Sequence, residues 1–226
     1  MAVFAAQVTP PGAPEPTGKR AVAVDAGHLD AYTGFYKLSD YSLLTVERKG
    51  NGLTISPIGQ FLAQGTIDVS AQSDTEFLVP SIDVTLEFVK GPEKQAASVN
   101  ISEHGVLAIQ ATRVDRVTAD RIRDALAARV KEQKPFPNSE NALHLVLTNS
   151  ASEKGMSPLW AKNFASQHDS IEKYYAALGP VQSYRFEGVT DYGWDIYDVQ
   201  YERGAQQIFI QLDKDGMLVS SVMRRQ

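Results

Sequence analysis

The chain has 226 residues, 43% hydrophobic and 22% charged, with a formal net charge of −5 and no cysteine. That size suits one large or two small globular domains, and the acidic balance argues against a phosphate-backbone partner, which needs a basic face. The lack of Cys excludes disulfides and thiolate metal sites, and no apolar run approaches the ~20 residues of a membrane-crossing helix, so a soluble protein with no nucleic-acid partner and no membrane span is expected.

Near the start, Ala2-Val3-Phe4-Ala5-Ala6-Gln7 has the small-x-small character of a signal-peptide cleavage region but lacks the basic start and most of the apolar core of such a peptide. Two locations follow from this: a periplasmic or secreted mature chain, or a cytoplasmic one. Pro10, Pro11, Pro14 and Pro16, with Gly12 and Gly18, give a composition that cannot build a core. Residues 1–26 therefore read as a flexible leader.

From a short turn at 28–34 the chain becomes a series of alternating runs: 35–38, 43–49, 53–57, 60–64, 66–69, 76–79, 82–89, 96–102 and 106–114. The clearest is Ile82-Asp83-Val84-Thr85-Leu86-Glu87-Phe88, apolar on one face and polar on the other. Gly50-Asn51-Gly52, Gly91-Pro92 and His104-Gly105 are turn chemistry. Eight or so short strands at this spacing predict a small antiparallel barrel or sandwich over 27–116.

A linking helix follows over 117–136, with Thr118 as its cap, Ile122, Leu126 and Val130 inside, and Pro135 and Pro137 ending it. Asp120, Arg121, Arg123, Asp124, Arg129 and Lys131 read as a mixed-sign solvated face. Asn138 or Ser139 caps a short helix through Leu143, Val146 and Leu147.

Residues 157–226 carry the densest pattern. Ser157-Pro158 is a helix start, and Trp160, Phe164, Ile171, Tyr175 and Leu178 recur at the spacing of one helical face, predicting one long helix that Gly179-Pro180 stops. The period then changes to alternation: Tyr184 and Phe186; Tyr197, Val199 and Tyr201; Ile208, Ile210 and Leu212. Turns fall at Asp191 to Gly193, Arg203-Gly204 and Asp215-Gly216. One helix over one curled antiparallel sheet is expected across 137–226.

The runs Gly155-Met156-Ser157-Pro158-Leu159-Trp160, Leu178-Gly179-Pro180-Val181-Gln182-Ser183, Phe186-Glu187-Gly188-Val189, Gly193-Trp194-Asp195-Ile196-Tyr197 and Leu212-Asp213-Lys214-Asp215-Gly216 resemble the C-terminal accessory domain of bacterial serine hydrolases related to beta-lactamases. Leu29-Asp30-Ala31-Tyr32-Thr33-Gly34-Phe35-Tyr36, Asp74-Thr75-Glu76-Phe77 and the Ile82 run are similar to the small lipocalin-like β-domain attached to the same enzymes. The resemblance implies an α+β chain: a lipocalin-like barrel, then a cystatin-like (nuclear-transport-factor-2-like) helix-on-sheet domain. The catalytic domain of those hydrolases has no counterpart here. Ser170-Ile171-Glu172-Lys173 spells its Ser-x-x-Lys and Ser98-Val99-Asn100 a second motif, but the partner motifs are missing, so helix surface and strand positions are the expected roles.

Other chemistry is sparse. His28, His104, His144 and His168 have no short ligand spacing, and Asp213 and Asp215 fit a hairpin turn better than a calcium loop. No cofactor or metal is expected. The aromatic set is the feature that points to function: Trp160, Tyr175, Tyr184, Phe186, Tyr197 and Tyr201 gather at the expected cone, as its packed core, as the lining of a ligand pocket or as a protein interface, with Asp195 as the acid that alternation places on the Tyr197 side. The reading is a non-catalytic accessory or binding protein for a small apolar or amphipathic ligand or a partner hydrolase. The alternatives are a small isomerase or lyase working in the cone, in the manner of scytalone dehydratase or ketosteroid isomerase, and a homo-oligomerisation module.

Overall fold

The structure, a computed structural model, describes residues 24, 26–59, 65–80, 82–92, 95–103, 105–151, 154–213 and 215–225. The Pro-rich leader, the 60–64 run and His104 lie outside the described residues. After α1 (Ala26–Tyr32) come β1 (Gly34–Ser39), β2 (Ser42–Lys49), β3 (Gly52–Ile58), β4 (Ile67–Ala71), β5 (Glu76–Val79), β6 (Val84–Lys90), β7 (Ala96–Glu103) and β8 (Val106–Val114). Each strand pairs antiparallel with the next, and β8 returns to β1 through Phe35↔Val114, Tyr36↔Arg113 and Lys37↔Thr112, closing an eight-stranded barrel. Closure removes the sheet edges that would otherwise template pairing with other chains. β6 begins two residues later than the alternation suggests, because Asp83 takes a left-handed conformation (φ 48) in the preceding turn.

The predicted turn at 28–34 is instead mostly the helix α1, and this helix plugs the barrel. Leu29 and Tyr32 are buried among Leu44, Ile55, Phe77, Leu86 and Phe88, and the Tyr32 ring stacks on Phe88 at 4.5 Å. Arg113 ties the plug to the wall: Nη1 donates to Tyr36 Oη (3.0 Å) and more distantly to Ala31 O, while Nη2 donates to Thr33 O. Gly34 (φ +140) permits this, since a Cβ there would lie 2.8 Å from Arg113 Nη2.

On the barrel's outer wall lies α2 (Arg116–Glu132), with Ala119 and Ile122 against Leu43, Phe35, Ile58 and Val114. Its cap is Asp115, whose carboxylate accepts from Thr118 N at 2.7 Å; Thr118 supplies the N–H, not the cap expected of it. Then come α3 (Ser139–Leu147), α4 (Pro158–Ser166), α5 (His168–Leu178), β9 (Val181–Val189), β10 (Asp195–Tyr201), β11 (Gly204–Leu212) and β12 (Leu218–Arg225). The last four strands form an antiparallel meander in the order β12-β11-β10-β9. The three helices pack on one face of it, around Leu143, Phe164, Ile171, Tyr197, Ile208 and Ile210. The chain is thus α+β: a closed barrel and a second antiparallel sheet with helices on one face. No helix among the described residues is long and apolar enough to cross a membrane.

Ser157 caps α4 as expected, accepting from Trp160 N. The single long helix is, however, two helices. Gln167 sits at φ −103, ψ 2 and its N–H bonds Phe164 O, a tightened turn that ends α4 before α5 restarts. Apolar spacing reports which face is buried, and that face survives the break; it does not report whether the backbone ladder is continuous.

Burial raises the Tyr36 phenol from its usual 10.0 to about 12, with Arg113 pulling the other way. The folded state therefore holds this proton more tightly than the unfolded chain. Its stabilising contribution is complete below about pH 10 and disappears as the pH rises towards about 12. Urea melts across that range should show falling stability, and Tyr36→Phe should cost about 1 kcal/mol at neutral pH while flattening the alkaline decline. An unchanged alkaline slope in the variant would contradict the assignment.

Candidate functional site

Tyr197 and Tyr201 are buried, whereas Trp160, Tyr175, Tyr184 and Phe186 are half-buried around the same core. The tyrosine hydroxyls are turned to partners within the chain. Tyr197 Oη donates to Ser139 Oγ (3.0 Å), and Tyr174 Oη donates to Gln206 Oε1 (2.9 Å), whose Nε2 donates to Tyr201 Oη. Tyr175 stacks on Tyr201 at 6.0 Å and its hydroxyl donates to Met223 Sδ. Tyr184 Oη donates to Glu140 Oε1 (2.5 Å) and lies 3.2 Å from His144 Nε2. Burial pushes the Tyr175 phenol strongly up and that of Tyr201 to about 12; for Tyr184 the hydrogen bond to Glu140 is the main upward cause. These rings interlock as a core, with Phe186 edge-on to Tyr197 at 5.6 Å. Within this aromatic set, Trp160 keeps a buried donor, Nε1, without a partner.

Asp195 is the predicted site residue with the most elaborate surroundings. It faces the Tyr197 side, as alternation requires, and its side chain is 0% exposed. Its partner is Arg129 of α2, only 8% exposed, where the sequence suggested a solvated face. Arg129 Nη2 donates to Asp195 Oδ1, Nε to Gly193 O (2.9 Å) and Nη1 to Lys134 O (3.2 Å), while Phe136 N donates to Asp195 Oδ2 (2.9 Å). The guanidinium lies 3.4 Å from the centre of the Phe136 ring and 5.6 Å from that of Tyr41. Burial pushes the Asp195 carboxyl up, opposed by hydrogen bonds from Ser139 and the Phe136 N–H and by the charge of Arg129. The signal that could have revealed Arg129 is weak: it lies three residues after Leu126, near the buried stripe, at a position that helical spacing alone leaves at its margin.

Above this pair the barrel meets the second sheet, and a half-open cleft of about 410 Å³ lies between them. Tyr41 and Asp40 come from the β1–β2 turn, Phe136 and Asn138 from the α2–α3 connection, and Asp213 and Asp215 from the β11–β12 turn. Tyr41 and Phe136 meet edge to face at 5.7 Å. Asn138 Nδ2 donates to Gly216 O (2.8 Å), and Asp213 Oδ1 accepts from Asp215 N and Met217 N, so the Asp-rich turn is a hairpin turn as expected. Cleft and predicted cone are different places. Alternation and helical spacing gather the aromatic set into one cluster, but they cannot foresee concavity at a junction of three segments far apart in the chain.

The remaining motifs occupy surface positions except Val99, which is buried in the barrel core. Ser170 and Lys173 are exposed on α5, and Ser98, Val99 and Asn100 are consecutive positions of β7. His28, His144 and His168 are exposed. His168 does approach Asp169 and Glu172, with ligand atoms within 4.8 Å of one another, a grouping within one helix that the spacing of the histidines did not show. Fold and site together define an α+β protein whose barrel and helix-backed sheet share a cleft over a buried ion pair. The chain matches no protein-family model, and no curated protein is significantly similar to it.

Removing one member of a buried pair leaves the other charged and unsolvated, which typically costs about 3–5 kcal/mol. Asp195→Asn should lose that much in urea unfolding, since Arg129 cannot shed its charge. The double replacement Arg129→Met with Asp195→Leu should be markedly less harmful than Asp195→Asn alone. A neutral effect of Asp195→Asn would show that the pair is not closed to water.

Proposed function

We propose that this chain is a non-catalytic binding protein for a small amphipathic molecule, and that the junction cleft is where it binds. The observation that carries this is the cleft itself: a concavity within the roughly 300–1,000 Å³ range of small-molecule sites, lined by both aromatic rings and polar groups. Rigid support favours it too, because Phe136 is fixed from behind by Arg129 and its backbone N–H by Asp195. The cone, by contrast, is occupied by its own rings. A lyase or isomerase would need Asp195 within reach of substrate, and both of its oxygens are already engaged in the interior.

Helices on one face of a four-stranded antiparallel meander support a cystatin-like domain over 137–226, and the closed barrel supports a lipocalin-like one over 27–116, joined by a helix over 117–136. Here the barrel lumen is plugged by α1, so the lumen is a poor ligand site. The resemblance implies an exported accessory role beside a hydrolase carried on another chain.

Titration with a set of single-ring compounds of neutral, anionic and cationic character, followed by amide chemical shifts, tests the proposal. Shifts clustered at Tyr41, Phe136 and 213–216, with a raised melting temperature, are expected. Shifts clustered at Trp160 and Tyr175, or none at all, would move the site or remove it.

A second reading, self-association, has one observation behind it. Ile196, Phe209 and Val222 are cross-strand neighbours on the sheet face opposite Tyr197 and Ile208, half-exposed and outside every core cluster. If this row pairs with its copy, sedimentation should give a concentration-dependent mass that Phe209→Ser abolishes without lowering the melting temperature of the monomer by more than a few degrees.

A further inference from the structure

The chemistry of the cleft wall narrows its occupant beyond "small and amphipathic". Resting on the reading of the cleft as the binding site, we infer that the ligand is an organic cation, an aromatic or alkyl ammonium or guanidinium whose apolar part lies on Tyr41 and Phe136 and whose charge faces the aspartates. Asp40, Asp213 and Asp215 all line the cleft, and no Lys, Arg or His does among the described residues. Three of the nine lining residues are acidic, against 27 of 226 in the whole chain; Lys214, in the same turn, lies outside the described residues. Low-dielectric walls focus that potential into the opening and concentrate cations there. Lys37 offsets it in part, through an ion pair with Asp40 that is about 40% exposed on both sides and therefore weak; Asp213 is held by two backbone N–H groups, and Asp215 has a partner within the chain.

The aromatic wall reinforces the same sign. The negative faces of the Tyr and Phe rings attract cations and give no comparable benefit to anions. Arg129 already uses this property from the buried side, at 3.4 Å from the Phe136 ring centre. It does not repel a second cation strongly, because Asp195 neutralises it at direct contact. An anionic ligand would find no cationic partner among the described residues lining the opening, and three like charges around it. The volume, about 410 Å³, suits one ring with a short charged arm.

Three matched compounds separate charge from shape: phenethylammonium, phenethyl alcohol and phenylacetate, each titrated into the full chain by chemical-shift mapping at low ionic strength. Phenethylammonium should shift Tyr41, Phe136 and 213–216, bind at least about tenfold more tightly than the alcohol, and weaken as salt is added. Asp40→Asn combined with Asp215→Asn should remove most of that preference. Both sites are on surface turns, and retained melting temperature confirms that the variant folds. Tyr41→Ala, checked the same way, should weaken both the cation and the alcohol. If the alcohol or phenylacetate binds in the cleft as tightly as the cation, the inference is overturned and the cleft remains a binding site. If none of the three shifts the cleft while other single-ring compounds do, the preference for a cation is likewise overturned and the cleft again remains a binding site. If no compound of any charge shifts it, both fall together.

Discussion

The contact between Arg129 and Asp195 is the constraint on which the rest of this structure depends. A carboxylate on a fully buried strand position is tolerable only with a permanent partner and filled hydrogen-bonding capacity. Arg129 of α2 meets the first, and the Phe136 N–H and Ser139 help to meet the second. Guanidinium suits the task better than ammonium would, because its fork serves Asp195, Gly193 O and Lys134 O at once while its face lies on Phe136. The pair therefore sets the relation between α2 and β10 more narrowly than apolar packing could. Leu126 over Gly193 and the Gln133 amide bridging Val189 N and O complete the same seam. Gly188 sits there at φ +140, which favours glycine, and a Cβ would push Gln133 Oε1 from its place beside Val189 N.

From that seam follows the place of the cleft. The barrel and the sheet each fill their own interior: α1 plugs one, and a closed set of tyrosine, glutamine and serine hydrogen bonds occupies the other. Each is convex where it meets water, and convex bodies held together leave a groove along their contact. Arg129 holds Phe136, one of the lining residues, in place. A binding site that emerges at a junction is sensitive to the angle between the bodies, and an ion pair with directional hydrogen bonds resists a change of angle better than a greasy interface does.

Much of the fold was legible because its signals are local. Alternation in β2, β3, β7 and β8, glycines at the turns and the Ser157-Pro158 start each depend on a few neighbouring residues, and each appears where the pattern places it; β6 follows its alternation once past the turn at Asp83. The site was less legible for the opposite reason. Asp195 could be assigned to the inner face from Tyr197 two residues on, but its partner lies 66 residues earlier, on a helix whose charged residues otherwise face solvent. Periodicity marks Arg129 as the edge of the buried stripe and says nothing of what that edge meets. The break at Gln167 was hidden similarly, because Phe164 and Ile171 keep the same face on either side of it.

The charge pattern of the cleft is more than folding requires. The aspartate at 213 has structural work in its turn, accepting two backbone N–H groups, and Asn or Ser could do much of it without charge. A hairpin turn alone does not call for a second acid at 215, which has a partner within the chain, nor for a third on the β1–β2 turn at 40. Like charges on two turns that line one cleft repel, so the coexistence of Asp40, Asp213 and Asp215 is a small local conflict. Such conflicts persist where something else resolves them. Lys37 resolves part of one. A cation resting on the aromatic wall between the turns would ease the repulsion that is left.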